Sequence, residues 1–424
     1  MRGGKELRWT DALRAVLAAL LRAVRFLYGI ASDRYADLSE GDVWLRPNQH
    51  DWEALRREMA SRGPGADRAT CLHRAAAKAD CMQTWFGHPD AMHVKIFRPR
   101  AIRAPEQTCM VVHGLCASGY ADERVLQLAR ALASAGFTVA VPRIAPLENC
   151  EIGAASTQAI TAASLLLLRL LGAQQQQQPN LMLFKDKRPE RIAYAAACIS
   201  AGMCILAAAQ PCLRGKVSAM LLVGTYANVE TVVHHVMDEA LLDDYGRNAM
   251  FLNYMHVLCG RDQNRDALFR AALNLNHYQT QDKHASVVYW EREFNRLCKE
   301  HPQLAEQFLR IQRDAAYRQQ LAARLCSEIL DELEALSPSR VVQSIAPAAL
   351  CMMHGASDCV VPSSESALLH CLSSKAVPPV RSALSVTTLI DHGTKQTVSI
   401  RAAAEVLELL RVVYLFCKAV ASNA

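Results

Sequence analysis

The chain has 424 residues, 51% hydrophobic and 21% charged, enough for one large domain with insertions or for two ordinary domains. A formal net charge of +6, scattered along the chain, excludes the concentrated basic stripe of a nucleic-acid-binding protein, so no nucleic-acid partner is expected. The 15 cysteines form no CxxC pair, and Cys109, Cys198, Cys351 and Cys417 sit in apolar runs, which points to a reducing intracellular compartment and away from a disulfide framework or a zinc site.

No run is long and apolar enough to span a bilayer. The first candidate element is an amphipathic helix over residues 10–30, in which Leu13, Leu17, Leu20, Leu21, Val24 and Tyr28 recur at helical spacing with Arg14, Arg22 and Arg25 opposite. Residues 1–30 carry six basic and two acidic side chains. The spacing predicts a helix packed on the main domain with its arginines in water. Peripheral membrane contact through residues 13–30 and a mitochondrial-type presequence are the two other readings. Residues 31–90 are mixed and polar, with a loop at "SRGPGADR" (61–68), so residues 1–90 read as an N-terminal helical extension.

From residue 92 short apolar runs alternate with amphipathic helices. "MHVKIF" reads as a half-buried strand, "TCMVV" as a central strand, "ERVLQLARALASAG" as a helix closed by Gly136, and "FTVAVPRI" as the next strand. A helix through "ASTQAITAASLLLLRLL", the solvated tract Gln174–Gln178, and the strands "RIAYAAACI" and "KVSAMLLVGTY" follow. Residues 229–335 then lack strand-like runs and read as a helical cap or lid insertion. The strand rhythm resumes in "PAALCMMHG" and "ALSVTTLI", before a last helix. The expected fold is α/β: a mostly parallel central sheet with helices on both faces, built from residues 91–228 and 336–424 and interrupted by the cap.

The chemistry-bearing residues fall in loops after predicted strands. In "AAACISAGM", Ser200 follows a buried strand and opens a helix, where a nucleophile is held on a tight turn whose helix N-terminus favours developing negative charge. Ala201 and Gly202 supply the small neighbours, and Cys198 stands where such turns usually have glycine. In "VVHGLCASGY", His113 and Gly114 permit a sharp turn that brings the N–H of Leu115 to the site; a second oxyanion donor is the N–H of Ala201. "MMHGASDCVVP" places Asp358 after a strand, and "TLIDHG" places His392 after another. The order is serine, acid, histidine, with the acid 158 residues after the serine and the histidine 34 residues later. Asp243 and Asp244 are alternative acids. No G-x-G-x-x-G follows any strand, so a dinucleotide cofactor is not expected.

In these four segments the sequence resembles the α/β-hydrolase superfamily, in particular its serine esterase/lipase branch, over roughly residues 92–226 and 338–424. The resemblance implies a Ser200 nucleophile, a His392 base and acid, and an Asp358 orienter, acting on a carboxylic ester through an acyl-enzyme, with no cofactor and no metal. The large helical lid and the helix over residues 13–30 lean toward a lipophilic acyl ester. The resemblance also implies that His113 shapes the oxyanion turn without carrying a proton, that His354 packs at its strand end, and that Cys198 points into the sheet and is not the nucleophile. The scaffold also hosts acyltransferases, peptidases and non-catalytic binding proteins.

Overall fold

The computed structural model describes residues 3–32, 38–47, 49–60, 81–88, 90–99, 107–173, 190–238, 244–281, 283–390 and 402–421. A long helix, α1 (Gly3–Ser32), precedes an edge strand, β1 (Leu38–Leu45), and two helices, α2 (Gln49–Ala60) and α3 (Cys81–Phe86). The sheet then builds through β2 (Met92–Pro99), β3 (Thr108–Val112), α4 (Glu123–Ser134), β4 (Thr138–Pro142), α5 (Ala145–Glu148), α6 (Ala154–Ala173), β5 (Ile192–Ala197), α7 (Ile199–Ala208) and β6 (Val217–Val223). Helices alone follow: α8 (Val229–Asp238), α9 (Asp244–Cys259), α10 (Gln263–Gln279), α11 (His284–Glu300), α12 (Pro302–Arg313), α13 (Ala315–Glu328) and α14 (Leu330–Ala335). The chain returns to the sheet in β7 (Ala349–Gly355), α15 (Ser363–Ser374) and β8 (Ser382–Thr387), and α16 (Ala402–Ala421) covers it.

Among the described residues eight strands form one sheet in the order β1-β2-β4-β3-β5-β6-β7-β8. β2 runs antiparallel to β1 and β4, and the strands from β4 to β8 are parallel. β3 and β4 are buried at every residue, as parallel strands covered on both faces must be. Successive side chains of β5 alternate between two cores: Ile192, Tyr194 and Ala196 face one, Ala193 and Ala195 the other. The first core is closed by α2, α6, α7 and the helical insertion; the second by α1, α4 and α16.

Two expectations for the N-terminal region are corrected. Residues 1–90 are not only helical, because β1 joins the sheet edge along β2. Its polar pattern hides it: Glu40 and Asp42 reach Arg130 and Lys95 at 2.9 and 3.0 Å, charges suited to an unpaired edge. The helix α1 also turns the other way from the expected one. Ala19, Ala23 and Phe26 are buried, while Leu21 and Tyr28 are 51% and 55% exposed. The two alanines let α1 approach α16 and α4 closely, and Arg22 turns inward, bonding the Gln107 side chain and lying 5.7 Å from the Phe137 ring centroid. The Gln174–Gln178 tract lies outside the described residues.

Within the insertion a buried guanidinium ties three carbonyls. Arg318 on α13 donates to Met237 O near the end of α8 (3.0 Å), and to Ile311 O (3.1 Å) and Gln312 O (2.9 Å) near the end of α12. Helix C-termini leave such oxygens without intrahelical partners, and a cation there also meets the negative end of the helix dipole. No helix among the described residues is long and apolar enough to cross a membrane.

Candidate active site

A single residue, Cys198, joins β5 to α7, with φ 59° and ψ −139°. A side chain is strained at positive φ, and strain of this kind marks the nucleophile position on a sharp strand-to-helix turn. The Cys198 N–H donates to Val223 O at 2.8 Å, which anchors the turn on β6. The residue is half-buried and lines a cavity of about 260 Å³ at the C-terminal ends of β3, β5, β6 and β7. Ligands of open parallel sheets bind at that edge.

Ser200 lies two residues further on, inside the first turn of α7, and is fully buried. Its hydroxyl donates to Ala197 O at 2.8 Å, with Val112 O at 3.4 Å, and it does not line the cavity. Ser200, expected as the nucleophile, therefore lies within the helix, and the apex of the turn is Cys198. The turn reads Ala196-Ala197-Cys198-Ile199-Ser200, with small residues two before and two after its apex. The expectation that Cys198 points into the sheet fails with it, because the positive φ lifts this residue off the strand and toward the cavity. Gly202 answers to packing: a Cβ there would lie 2.2 Å from the Tyr226 ring.

The expected oxyanion donor Ala201 is also corrected, since its N–H is spent on Cys198 O at 3.0 Å. The residue after the apex, Ile199, is the first of α7, and first-turn N–H groups have no intrahelical acceptor. Opposite it, the loop after β3 puts Gly114 and Leu115 on the cavity wall. His113 holds that loop: Nδ1 donates to Gly114 O at 2.9 Å and Nε2 accepts from Ile144 N–H at 3.3 Å. Burial lowers its pKa to about 4, so the ring is neutral and both bonds are compatible with one tautomer.

Asp358 follows β7 and lines the same cavity. Its Oδ1 accepts the N–H groups of Val360 and Val361, each at 2.9 Å, which fixes the carboxylate. Its Oδ2 lies near the end of β6, where a Cβ on Gly224 would sit 3.1 Å away. Gly224 has φ +59°, so the strand end turns sharply there and leaves room for the acid. His354 is fully buried beneath Asp358, with Nε2 donating to Val361 O at 2.8 Å and Ser366 Oγ 2.6 Å from Nδ1. His392 lies outside the described residues; Ile390, two residues before it, lines the cavity. Of the alternative acids, Asp243 lies outside the described residues and Asp244 pairs with Arg247 at 2.8 Å.

The insertion supplies the remaining wall through Tyr245, Asn276, His277 and Thr280. His277 reaches from α10 to bond Ser118 of the sheet domain and lies 3.7 Å from Asp122. Burial lowers the His277 pKa to about 4. For Asp122 burial pushes the carboxyl up, but the hydrogen bonds and charge of Arg124 outweigh it and bring the pKa to about 2. Cys116, Asp122 and His277 bring sulfur, oxygen and nitrogen ligand atoms together in a buried group. That group does not suit a cation. Asp122 Oδ2 already accepts from Arg124 at 2.9 Å and Gln281 at 2.7 Å, and a metal there would face the guanidinium. The group is a polar latch between insertion and sheet domain. Sequence spacing could not reveal it, since its members are up to 161 residues apart.

A mostly parallel eight-stranded sheet with antiparallel β2, a strained turn between β5 and α7, and an acid held after β7 define an α/β-hydrolase fold. No protein-family description matches the chain, and no curated protein does. Among solved structures it is similar to dipeptidyl peptidase 4 of Porphyromonas gingivalis at 13% identity, covering 76% of this chain and 33% of that one with a TM-score of 0.41. It is similar to esterase B of Lactobacillus rhamnosis at 12% identity, covering 99% and 97% with a TM-score of 0.40. For a putative dienelactone hydrolase of Klebsiella pneumoniae the values are 10% identity, 89% and 99% coverage, and a TM-score of 0.40. The chain spans about a third of the length of the peptidases it matches.

Proposed function

We propose that the chain is a hydrolase that cleaves small carboxylic esters through an acyl-enzyme carried on the Cys198 sulfur. One observation carries the reading: the residue at the strained apex of the turn, facing the cavity, is a cysteine, while the nearby serine is buried in the helix. His392 takes the thiol proton as the Cys198 sulfur adds to the ester carbonyl carbon, and the carbonyl electron pair moves onto oxygen, where the N–H groups of Ile199 and Leu115 receive it. Collapse of this adduct expels the alkoxide, which takes a proton from His392 and leaves a thioester. Water, losing a proton to His392, then adds to the thioester carbonyl; the C–S bond breaks, the carboxylic acid leaves, and His392 returns the proton to the Cys198 sulfur. Asp358 orients His392. The helical insertion acts as a lid that keeps bulk water from the thioester. A cavity of about 260 Å³ lies below the ~300–1,000 Å³ usual for drug-sized ligands, which favours a short acyl group.

The test is hydrolysis of p-nitrophenyl esters of increasing chain length by wild type, Cys198→Ala and Ser200→Ala. Turnover of the short esters is expected in wild type and in Ser200→Ala, and none in Cys198→Ala. Iodoacetamide should label Cys198 and stop turnover. Loss of turnover in Ser200→Ala alone, with that variant folded, would return the nucleophile to the serine. A folded wild type without turnover would leave the cavity as a binding pocket.

A further inference from the structure

We propose that Glu230, His234 and Cys326 form a zinc site that clamps the first helix of the insertion, α8, to α13, on a face of the molecule separate from the cavity. The carboxylate, imidazole and thiol atoms all lie within 4.8 Å of one another. Glu230 and His234 are four residues apart on α8, so they share one helix face and grip a cation from one side. Cys326 closes the group from α13.

Three features single this trio out. First, the side chains are uncommitted: none of them makes a hydrogen bond or ion pair with another described residue. The buried trio beside the cavity differs, because its carboxylate already holds Arg124 and Gln281. Second, Cys326, 5% exposed and packed in the large apolar core, also has its sulfur beside a carboxylate and an imidazole. Third, the ligand set selects the metal. Sulfur, nitrogen and oxygen together suit zinc, whereas calcium and magnesium take oxygen ligands. Zinc–ligand bonds of about 2.0–2.3 Å would draw the three atoms closer together, and a tetrahedral ion would take its fourth ligand from solvent.

The placement gives the site a mechanical role. Along the α8–α13 contact, Arg318 ties one end through Met237 O. Cys326 lies eight residues further along α13, about 12 Å away at 1.5 Å per residue. A zinc ion there fastens the other end of the same contact, and α8 leads directly from β6.

The experiment uses the full chain, stripped with a chelator and dialysed against zinc chloride under a non-thiol reductant. Bound zinc is measured for wild type, His234→Ala, Glu230→Gln and Cys326→Ala. Because other cysteines contribute background, the quantity read is the difference: wild type should hold one zinc per chain more than His234→Ala or Cys326→Ala. Zinc should also raise the wild-type Tm by a few degrees and leave the His234→Ala Tm unmoved. His234 is half-buried, so this variant is expected to fold, and its zinc-free Tm should match that of wild type. Equal zinc in wild type and His234→Ala, or a wild-type Tm indifferent to zinc, would overturn the proposal. Neither readout depends on ester hydrolysis.

Discussion

Replacing Cys198 by glycine separates the strain of the turn from its chemistry. A non-glycine residue held in a sparsely populated backbone region costs on the order of 1–3 kcal/mol, and Cys198 sits at φ 59° and ψ −139°. Glycine adopts that conformation without a Cβ clash. Against the gain stands the greater backbone freedom of glycine in the unfolded chain, about 0.5–1 kcal/mol. The Cys198 side chain is only half-buried, so its loss removes little packing. The net expectation for Cys198→Gly is a stabilisation of about 0.5–2 kcal/mol. Unfolding entropy scales at about 2.1 cal/mol/K per residue, which for 424 residues makes this a rise in Tm of about 1–2 °C. On the proposed mechanism turnover should fall by about a thousandfold or more, since the sulfur that carries the acyl group is gone and the Ser200 hydroxyl is buried and bonded to Ala197 O. The assay pairs calorimetric unfolding with ester hydrolysis on the same preparation. A variant destabilised by more than about 1 kcal/mol would refute the claim that strain is stored at this residue.

Gly202→Ala should destabilise the protein by about 3 kcal/mol, because its Cβ would meet the Tyr226 ring at 2.2 Å and that ring is fixed by a hydroxyl bond to Leu336 O; denaturant unfolding within about 0.5 kcal/mol of wild type would contradict the packing described. Asp358→Asn keeps an oxygen for the Val360 and Val361 N–H groups but removes the charge, so turnover should drop by about 10²–10⁴ with the fold intact. Near-normal turnover in that variant would move the acid elsewhere. His113 is neutral in the folded protein down to about pH 4, while the unfolded ring takes up a proton below about 6.5. The unfolded state then binds more protons, so stability should fall as pH drops from about 6.5 to 4, by on the order of 3 kcal/mol. His113→Gln should flatten that part of the pH profile of the unfolding midpoint, and an unchanged profile would show that the imidazole is not its source.

The parallel sheet was legible because β3 to β7 are continuous apolar runs, the pattern that strands covered on both faces impose. β1 was not, since an edge strand carries Glu40, Gly41 and Asp42 and resembles a loop. The helical period of α1 was plain, but periodicity does not say which of two apolar stripes the core takes; alanine allows closer approach than leucine, and Ala19 and Ala23 went inward. At the turn between β5 and α7 the strand and helix are legible, yet Ser200 and Gly202 fit a familiar pattern that sets the frame two residues too late. The signal that would have corrected it was length: the apolar strand runs to Ala197, and the first residue after it with a nucleophilic side chain is Cys198. The Glu230, His234 and Cys326 group was beyond any spacing rule, because α13 meets α8 only after the insertion has folded back on itself.

The pairing of α1 with α16 carries a consequence for biosynthesis. One face of the sheet is covered by the earliest helix of this chain and by one that follows β8, with Ala19, Ala23 and Phe26 packed in the same core as Val412, Val413 and Phe416. Roughly 370 residues separate Ser32 from Ala402, and ribosomes add about 5–20 residues per second. For about 20–75 s, therefore, the part of the α1 surface that meets α16 stays uncovered even after α4 has been made, and that face of the sheet can close fully only when α16 arrives.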